Sequence, residues 1–176
     1  MNDIENKLIQ GNLRFAGKIE ANPEYFNLRR QQVSGQKPYA LIITCSDSRV
    51  VPEEIFSTYL GELFVIRSAG NVINEGELAS VEYGLEHLHI EYCLVLAHTH
   101  CGAVHAAIHK EKGKYLSPIL DNIENSIAGE CDEYLASKKN ALAQVKYLRE
   151  KFPDFKGIIK VGIYNIETSL VEIIGE

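Results

Sequence analysis

The sequence lacks a long hydrophobic run. Its apolar stretches, such as residues 40–43 and 94–97, are only a few residues long, whereas a membrane-spanning helix needs about 20. We therefore expect no transmembrane segment. The amino-terminal stretch MNDIENKLIQGN also lacks the basic start and apolar centre of a secretory signal, so we expect a cytoplasmic protein.

The sequence also lacks an excess of positive charge. Eighteen Lys and Arg residues against 24 Asp and Glu residues give a formal net charge of -6. Because such a charge repels a phosphate backbone, we expect no nucleic acid partner. The length of 176 residues, with 45% hydrophobic and 24% charged residues, is typical of one globular domain, which we expect to span residues 1–176.

Cysteine is scarce, with four residues in the chain. Thiols stay reduced in the cytoplasm, so disulfides are not expected there. The four cysteines are better explained as metal ligands, nucleophiles or small buried apolar groups. Their neighbours in the sequence therefore decide between these alternatives.

Hydrophobic patterning predicts alternating helices and strands. A capping box of Asn2 and Glu5 and the spacing of Ile4, Leu8 and Phe15 predict an opening amphipathic helix. Short runs of apolar and branched residues predict strands over 40–45, 63–66, 93–97, 158–163 and 170–174. Helical patterns begin at Pro52 and cover 77–88, 102–111 and about 117–151, with breaks around Gly113 and Gly129.

This alternation predicts the α/β class. We expect a central, mostly parallel β-sheet flanked by helices, an amino-terminal helical arm, and a last strand that is open to antiparallel pairing. Reactive side chains follow two of the predicted strands, in the segments CSDSR (45–49) and HTHCG (98–102). Open α/β sheets place their sites at the carboxyl ends of parallel strands.

These two segments supply a ligand set for zinc. Cys45, His98 and Cys101 offer two thiolates and one imidazole, and a catalytic zinc site keeps three protein ligands and one open position. Each residue also has a plainer explanation. Cys45 alone could be a buried apolar residue, His98 a core histidine, and Asp47 with Arg49 an ordinary ion pair. Cys93 and Cys131 have no such neighbours and are interpreted as structural.

The chain resembles a β-class carbonic anhydrase. The resemblance is carried by the signatures CxDxR and HxxC together with the stretches GNLRF, GQKP, GELFVIRSAGN, SVEYGLEHL and GIYNIET. It implies that Cys45, His98 and Cys101 bind Zn²⁺ and that Asp47 and Arg49 form a catalytic acid and base pair. The implied activity is that of a lyase: reversible hydration of carbon dioxide to bicarbonate and a proton by a zinc-bound hydroxide.

The same resemblance implies a substrate pocket. It assigns Gln36 a hydrogen bond to the substrate and places Phe64, Ala69 and Tyr83 around carbon dioxide. Gly102 matches the glycine after the last ligand, where a helix amino terminus can face an anion. Because the family's active site lies between subunits, the resemblance also implies a homodimer, which pairs in some members into a homotetramer.

Two other functions remain open from the residues alone. A zinc hydroxide in a small apolar pocket could also attack carbonyl sulfide or carbon disulfide, and a chain that had lost turnover could simply bind zinc or bicarbonate. The retention of Asp47, Arg49 and Gln36 weighs against simple binding, because zinc binding alone does not require them.

Tryptophan is absent from the chain. Some bacterial relatives bind bicarbonate in a separate pocket of Trp, Arg and Tyr, which Ile42, Arg67 and Tyr164 match here. Isoleucine has no N–H donor for an anion. We therefore expect weak bicarbonate binding there and a site in which Asp47 pairs with Arg49.

Overall fold

The chain divides into two compact units, Met1–Gln36 and Lys37–Glu176. The structure is a computed structural model that describes residues 3–174. This division concerns compactness alone, so the expectation of one domain over residues 1–176 stays a prediction.

The first unit consists of two helices, α1 (Asp3–Ala21) and α2 (Pro23–Gln32). The opening helix was predicted, but Asn2 of its expected capping box lies outside the described residues. Helix α2 was not predicted. Its signal is local: Asn22 accepts hydrogen bonds from the amides of Glu24 and Tyr25, and Pro23 occupies the first turn, where its missing N–H has no cost.

The second unit is built on a five-stranded sheet of order β2-β1-β3-β4-β5. The strands are β1 (Ala40–Cys45), β2 (Leu63–Ser68), β3 (Tyr92–His98), β4 (Ile158–Tyr164) and β5 (Val171–Ile174). The first four are mutually parallel, and β5 pairs antiparallel with β4. The mostly parallel α/β sheet predicted from the sequence is confirmed.

Strands β1 and β3 lie inside the sheet and are apolar on both faces. Leu41, Ile43 and Val95 pack on one face, against helices that follow later in the chain. Ile42 and Leu94 pack on the other. Burial on both faces explains why these strands are continuous apolar runs without polar alternation.

Helices cover the sheet and its carboxyl edge. They are α3 (Pro52–Ile55), α4 (Glu75–Glu82), α5 (Gly102–Ile108), α6 (Ser117–Ile127) and α7 (Glu133–Lys151). A π-helical turn, Tyr83–His87, continues α4. At its start Gly84 lies so close to β1 that a Cβ there would be 2.6 Å from Leu41 Cδ1. Within residues 3–174, no helix is both long and apolar enough to span a bilayer.

Candidate metal centre

Three potential ligand atoms meet at the carboxyl ends of two adjacent strands. Cys45 ends β1, His98 ends β3, and Cys101 immediately precedes α5. Their ligand atoms all lie within 4.8 Å of one another, and all three residues are buried. The two sulfurs are 3.9 Å apart. Because β1 and β3 are neighbours and parallel, the fold brings together Cys45 and Cys101, which are 56 residues apart in the sequence.

The His98 ring is oriented as a ligand would be. Its Nδ1 lies 2.9 Å from the carbonyl oxygen of Thr99, and since a carbonyl only accepts, Nδ1 carries the hydrogen. The lone pair is therefore on Nε2, which is buried and has no hydrogen-bond partner among the described residues. Buried polar atoms are rarely left unpaired. A metal ion would satisfy this nitrogen, so the residues present fit zinc.

The two sulfurs are hydrogen-bonded to each other, which favours one thiolate in the pair. The hydrogen bond from Cys101 lowers the pKa of the Cys45 thiol to about 4, and the amide of Gly70, 3.3 Å from the sulfur, acts in the same direction. The pKa of Cys101 is raised, first by its bond to Cys45 and then by burial. A pair that favours a thiolate this strongly is suited to a cation, which would replace the shared proton.

Asp47 and Arg49 form a two-pronged ion pair beside the cluster. Arg49 Nη2 lies 2.7 Å from Asp47 Oδ2, while Arg49 Nε and its backbone amide donate to Oδ1 at 3.0 and 2.9 Å. These bonds hold the pKa of Asp47 well below its usual value. Asp47 is part-buried and Arg49 is exposed. The carboxylate is thus ionised and fixed in orientation at neutral pH.

Arg67 braces the loop that carries this pair. Its Nε donates to the carbonyl of Cys45 at 3.3 Å, and its Nη2 donates to the carbonyls of Asp47 and Val50 at 2.7 and 2.8 Å. The resemblance described above matched Arg67 to an arginine that binds bicarbonate in some relatives. In this structure three of its five N–H donors are directed at the loop backbone instead.

The residues predicted to form the substrate pocket lie in two different regions of the second unit or, for Gln36, in the first unit. Ala69 directly precedes Gly70 and so lies beside the Cys45 sulfur, and Gly102 directly follows Cys101 as the first residue of α5. Phe64 and Tyr83 contact each other, with ring centroids 6.1 Å apart.

Phe64 and Tyr83 are not brought to the cluster of their own chain. Cys45 pairs with Ser68 in the sheet, and Phe64 lies four residues before Ser68, or about 13 Å along the strand. The Tyr83 side chain is exposed. Gln36 is the last residue of the first unit and is also exposed.

The remaining cysteines and the histidine between the ligands have other surroundings. Burial raises the pKa of Cys93 to about 12, and Cys131 is exposed. His100 is exposed and has the left-handed backbone angle φ 56°. Its ring nitrogens lie 3.3 Å from Glu167 and 4.0 Å from Glu133, so its side chain faces carboxylates at the surface.

Sequence reasoning missed two buried amides that reach this centre from α7. Asn140 donates to the carbonyl of Gly70 at 2.8 Å, and Gln144 accepts from the amide of Ile73 at 3.0 Å. A signal for them exists in the sequence. Ser137, Asn140 and Gln144 repeat at helical spacing beside the apolar stripe of the same helix, where purely solvent-facing residues are not expected.

Comparisons with known proteins agree with this geometry. The family profile described as carbonic anhydrase matches residues 40–168. A carbonic anhydrase of Synechococcus elongatus is 46% identical over 104 residues, which cover 56% of this chain and 38% of that protein. Carbonic anhydrase 2 of Mycobacterium tuberculosis is 34% identical over 150 residues, which cover 82% of this chain and 69% of that protein.

Solved structures share the fold over nearly the whole chain. The structure of the β-carbonic anhydrase CcaA has a TM-score of 0.82 at 30% identity and covers 98% of this chain and 96% of that chain. One of two tetrameric β-carbonic anhydrases of Sordaria macrospora has a TM-score of 0.82 at 22% identity. It covers 99% of this chain and 98% of that chain. The match to this chain spans 38% of the length of the Synechococcus elongatus protein and 69% of the length of the Mycobacterium tuberculosis protein.

Proposed function

Because the chain belongs to the β-class carbonic anhydrase family, we propose that it catalyses the reversible hydration of carbon dioxide to bicarbonate and a proton. We propose further that Cys45, His98 and Cys101 hold one zinc ion per chain. The observation that carries this proposal is the fixed Asp47–Arg49 pair beside three converging ligand atoms. A site that only stored zinc would need the ligands alone.

Zinc bound there would supply a Lewis acid that lets water lose a proton and become a nucleophile. The chain's own residues then divide the remaining work. Asp47 accepts a hydrogen bond from the attacking water at its carboxylate and so orients it. Arg49 makes two hydrogen bonds to Oδ1 and one to Oδ2, which leaves one lone pair of Oδ2 for the water and keeps the carboxylate ionised.

The conversion of water and carbon dioxide to bicarbonate releases one proton. Asp47 is a poor final acceptor for it, because its bonds to Arg49 lower its pKa. We therefore assign Asp47 the orientation of water and assign the final acceptance of the proton to buffer. Strong dependence of the turnover rate on buffer concentration would follow from this assignment.

The proposal is tested by stopped-flow measurement of carbon dioxide hydration with the zinc-loaded protein. Wild type should show buffer-dependent turnover, and Asp47→Asn should lose most of it, since the amide keeps the shape but presents an N–H donor to the water. Ser48→Ala changes an exposed neighbour in the same loop and serves as the matched control. Absence of hydration by zinc-loaded wild type would refute the activity, and full activity of Asp47→Asn would refute the role of Asp47.

We also propose a homodimer, which could pair again as a homotetramer. Phe64 and Tyr83 support it, because they are far from the cluster of their own chain and Tyr83 is exposed. Strand β2 also lies at an edge of the sheet, where its outer backbone groups have no neighbouring strand in the described part of the chain. Sedimentation velocity at low micromolar concentration would test the proposal, and a monomer would contradict it. The cytoplasmic location stays a prediction.

A further inference from the structure

Helix α7 buries polar side chains in the middle of the second unit. Asn140 and Gln144 have relative exposures of 0% and 3%. Amides are costly to bury unless their hydrogen bonds are made. Their partners lie around the metal centre, on the segment Gly70–Ile73 that follows β2.

Backbone groups fix the orientation of both amides. The amide N–H of Ile73 can only donate, so the atom of Gln144 that faces it is the oxygen Oε1. Gln144 Nε2 must then be the donor that lies 3.3 Å from Asn140 Oδ1. This leaves Asn140 Nδ2 to donate to the carbonyl of Gly70 at 2.8 Å. The donor and acceptor roles form one consistent chain from Ile73 to Gly70.

The segment held at both ends has an uncommon backbone. Gly70 has φ 63° and Asn71 has φ 51°, and for a residue with a Cβ this left-handed region is unfavourable. Such conformations persist where surrounding contacts over-determine them. Here Asn140 and Gln144 supply those contacts, and the resulting conformation directs the Gly70 amide at the Cys45 sulfur, 3.3 Å away.

We propose that Asn140 and Gln144 are positioning residues for the metal centre, acting through the Gly70 amide on the Cys45 sulfur. This inference rests on the proposed zinc site. An N–H bond to a thiolate withdraws charge from the sulfur and fixes its direction, so partners of this kind tune both the affinity of a site and the acidity of its metal. The two amides keep that N–H in place.

Cobalt(II) uptake tests the proposal with a readout other than activity. Bound Co²⁺ gives an absorption band from sulfur-to-metal charge transfer, whose position reports on the charge at the sulfurs. Asn140→Asp retains the side-chain shape but loses the N–H donor to Gly70. We expect its affinity for Co²⁺, measured by chelator competition, to fall about tenfold and its charge-transfer band to shift.

Two controls lie on the same helix. Ser137→Ala removes a buried hydroxyl that has no hydrogen-bond partner within residues 3–174, so affinity and band should both match wild type. Ala141→Gly, at a buried position, weakens the helix without touching the network. It should leave the band unchanged, which separates a loss of stability from a change at the sulfur.

The outcomes are distinguishable. A folded Asn140→Asp protein with the wild-type affinity and band overturns the inference. If Asn140→Asp does not fold, Gln144→Met decides, since it removes the acceptor for Ile73 and should also shift the band. Wild-type protein that takes up no Co²⁺ overturns the metal site and this inference together. Uptake with the predicted shift but without carbon dioxide hydration overturns only the proposed activity.

Discussion

The guanidinium group of Arg67 donates a hydrogen bond of 2.7 Å to the backbone carbonyl of Asp47. The residue proposed to orient water is therefore held twice: Arg49 binds its carboxylate and Arg67 binds its main chain. Strand β2 thus supports a loop that begins at the end of β1. Side-chain orientation and loop position are controlled by two different arginines.

Arg67→Met should weaken both the loop and the activity. It removes three hydrogen bonds from a charged donor to carbonyl oxygens. Since Arg67 is exposed, we expect a loss of about 2 kcal/mol in the free energy of unfolding and a fall of about tenfold in kcat. Urea denaturation and stopped-flow hydration measure the two effects. Lys146→Met, at an exposed position, is the control. Equal unfolding free energies and equal kcat values for the two variants would argue against a supporting role of Arg67 for the loop.

Arg49→Gln should change stability in a pH-dependent way. Arg49 depresses the pKa of Asp47 in the folded state, so the pair stabilises the protein above the unfolded pKa of about 3.9. That contribution is lost as pH falls through the lower folded pKa. The difference in unfolding free energy between wild type and Arg49→Gln should therefore be larger at pH 7 than at pH 3. A difference that grew toward acid would contradict the assigned pair.

Cys45→Ala should lose most of the zinc, whereas Cys93→Ala should keep one zinc per chain. Both cysteines are buried in the sheet, so the pair of variants separates a ligand from a core thiol. Zinc at 1,000 times its dissociation constant should stabilise wild type by about 4 kcal/mol. Elemental analysis and thermal denaturation measure these quantities. Full zinc occupancy in Cys45→Ala would remove Cys45 from the ligand set.

The hydration rate should rise from neutral toward alkaline pH. Two anionic sulfurs cancel the formal charge of Zn²⁺, which leaves a weaker Lewis acid than three neutral imidazoles would. Water at such a metal loses its proton at higher pH. Stopped-flow rates from pH 6 to 9.5 provide the measurement, and a flat profile would be inconsistent with a site that uses both sulfurs.

Bicarbonate should inhibit weakly and without cooperativity. Ile42 is buried in an apolar cluster with Leu94 and Leu96 of β3 and offers no donor to an anion. Arg67 is already directed at three carbonyls. An anion beside them would lack hydrogen bonds that it needs. Plots of rate against bicarbonate should be hyperbolic. A sigmoidal plot with a Hill coefficient near 2 would show that the second pocket works despite its missing tryptophan.

Local patterns were sufficient to predict most of the fold. Continuous apolar runs specify β1 and β3, and Pro52 in the first turn specifies the start of α3. These signals lie within a few neighbouring residues. Helix α4 begins two residues earlier than predicted, at Glu75. Its first turn is set by a capping box of Asn74 and Glu77, which apolar periodicity does not detect.

The ligand residues of the site were predictable from the sequence, but the residues that support them were not. Cys45, His98 and Cys101 form short motifs, and topology brings motifs at strand ends together. Asn140 and Gln144 lie about 70 residues from the backbone groups that they bind, so no spacing rule connects them. Phe64 and Tyr83 contact each other at a distance from the three ligand residues of their own chain, and no sequence motif predicts this placement.

The strand order has a kinetic consequence. In the described part of the chain, β4 and β5 are joined by a short turn. Strand β1, in contrast, pairs with β2 and β3, which are separated from it in the sequence by helices. Such distant parallel pairings require long loops to close, which slows folding. Cys45 and His98 meet only after β1 and β3 have paired, so added zinc should slow unfolding far more than it accelerates refolding.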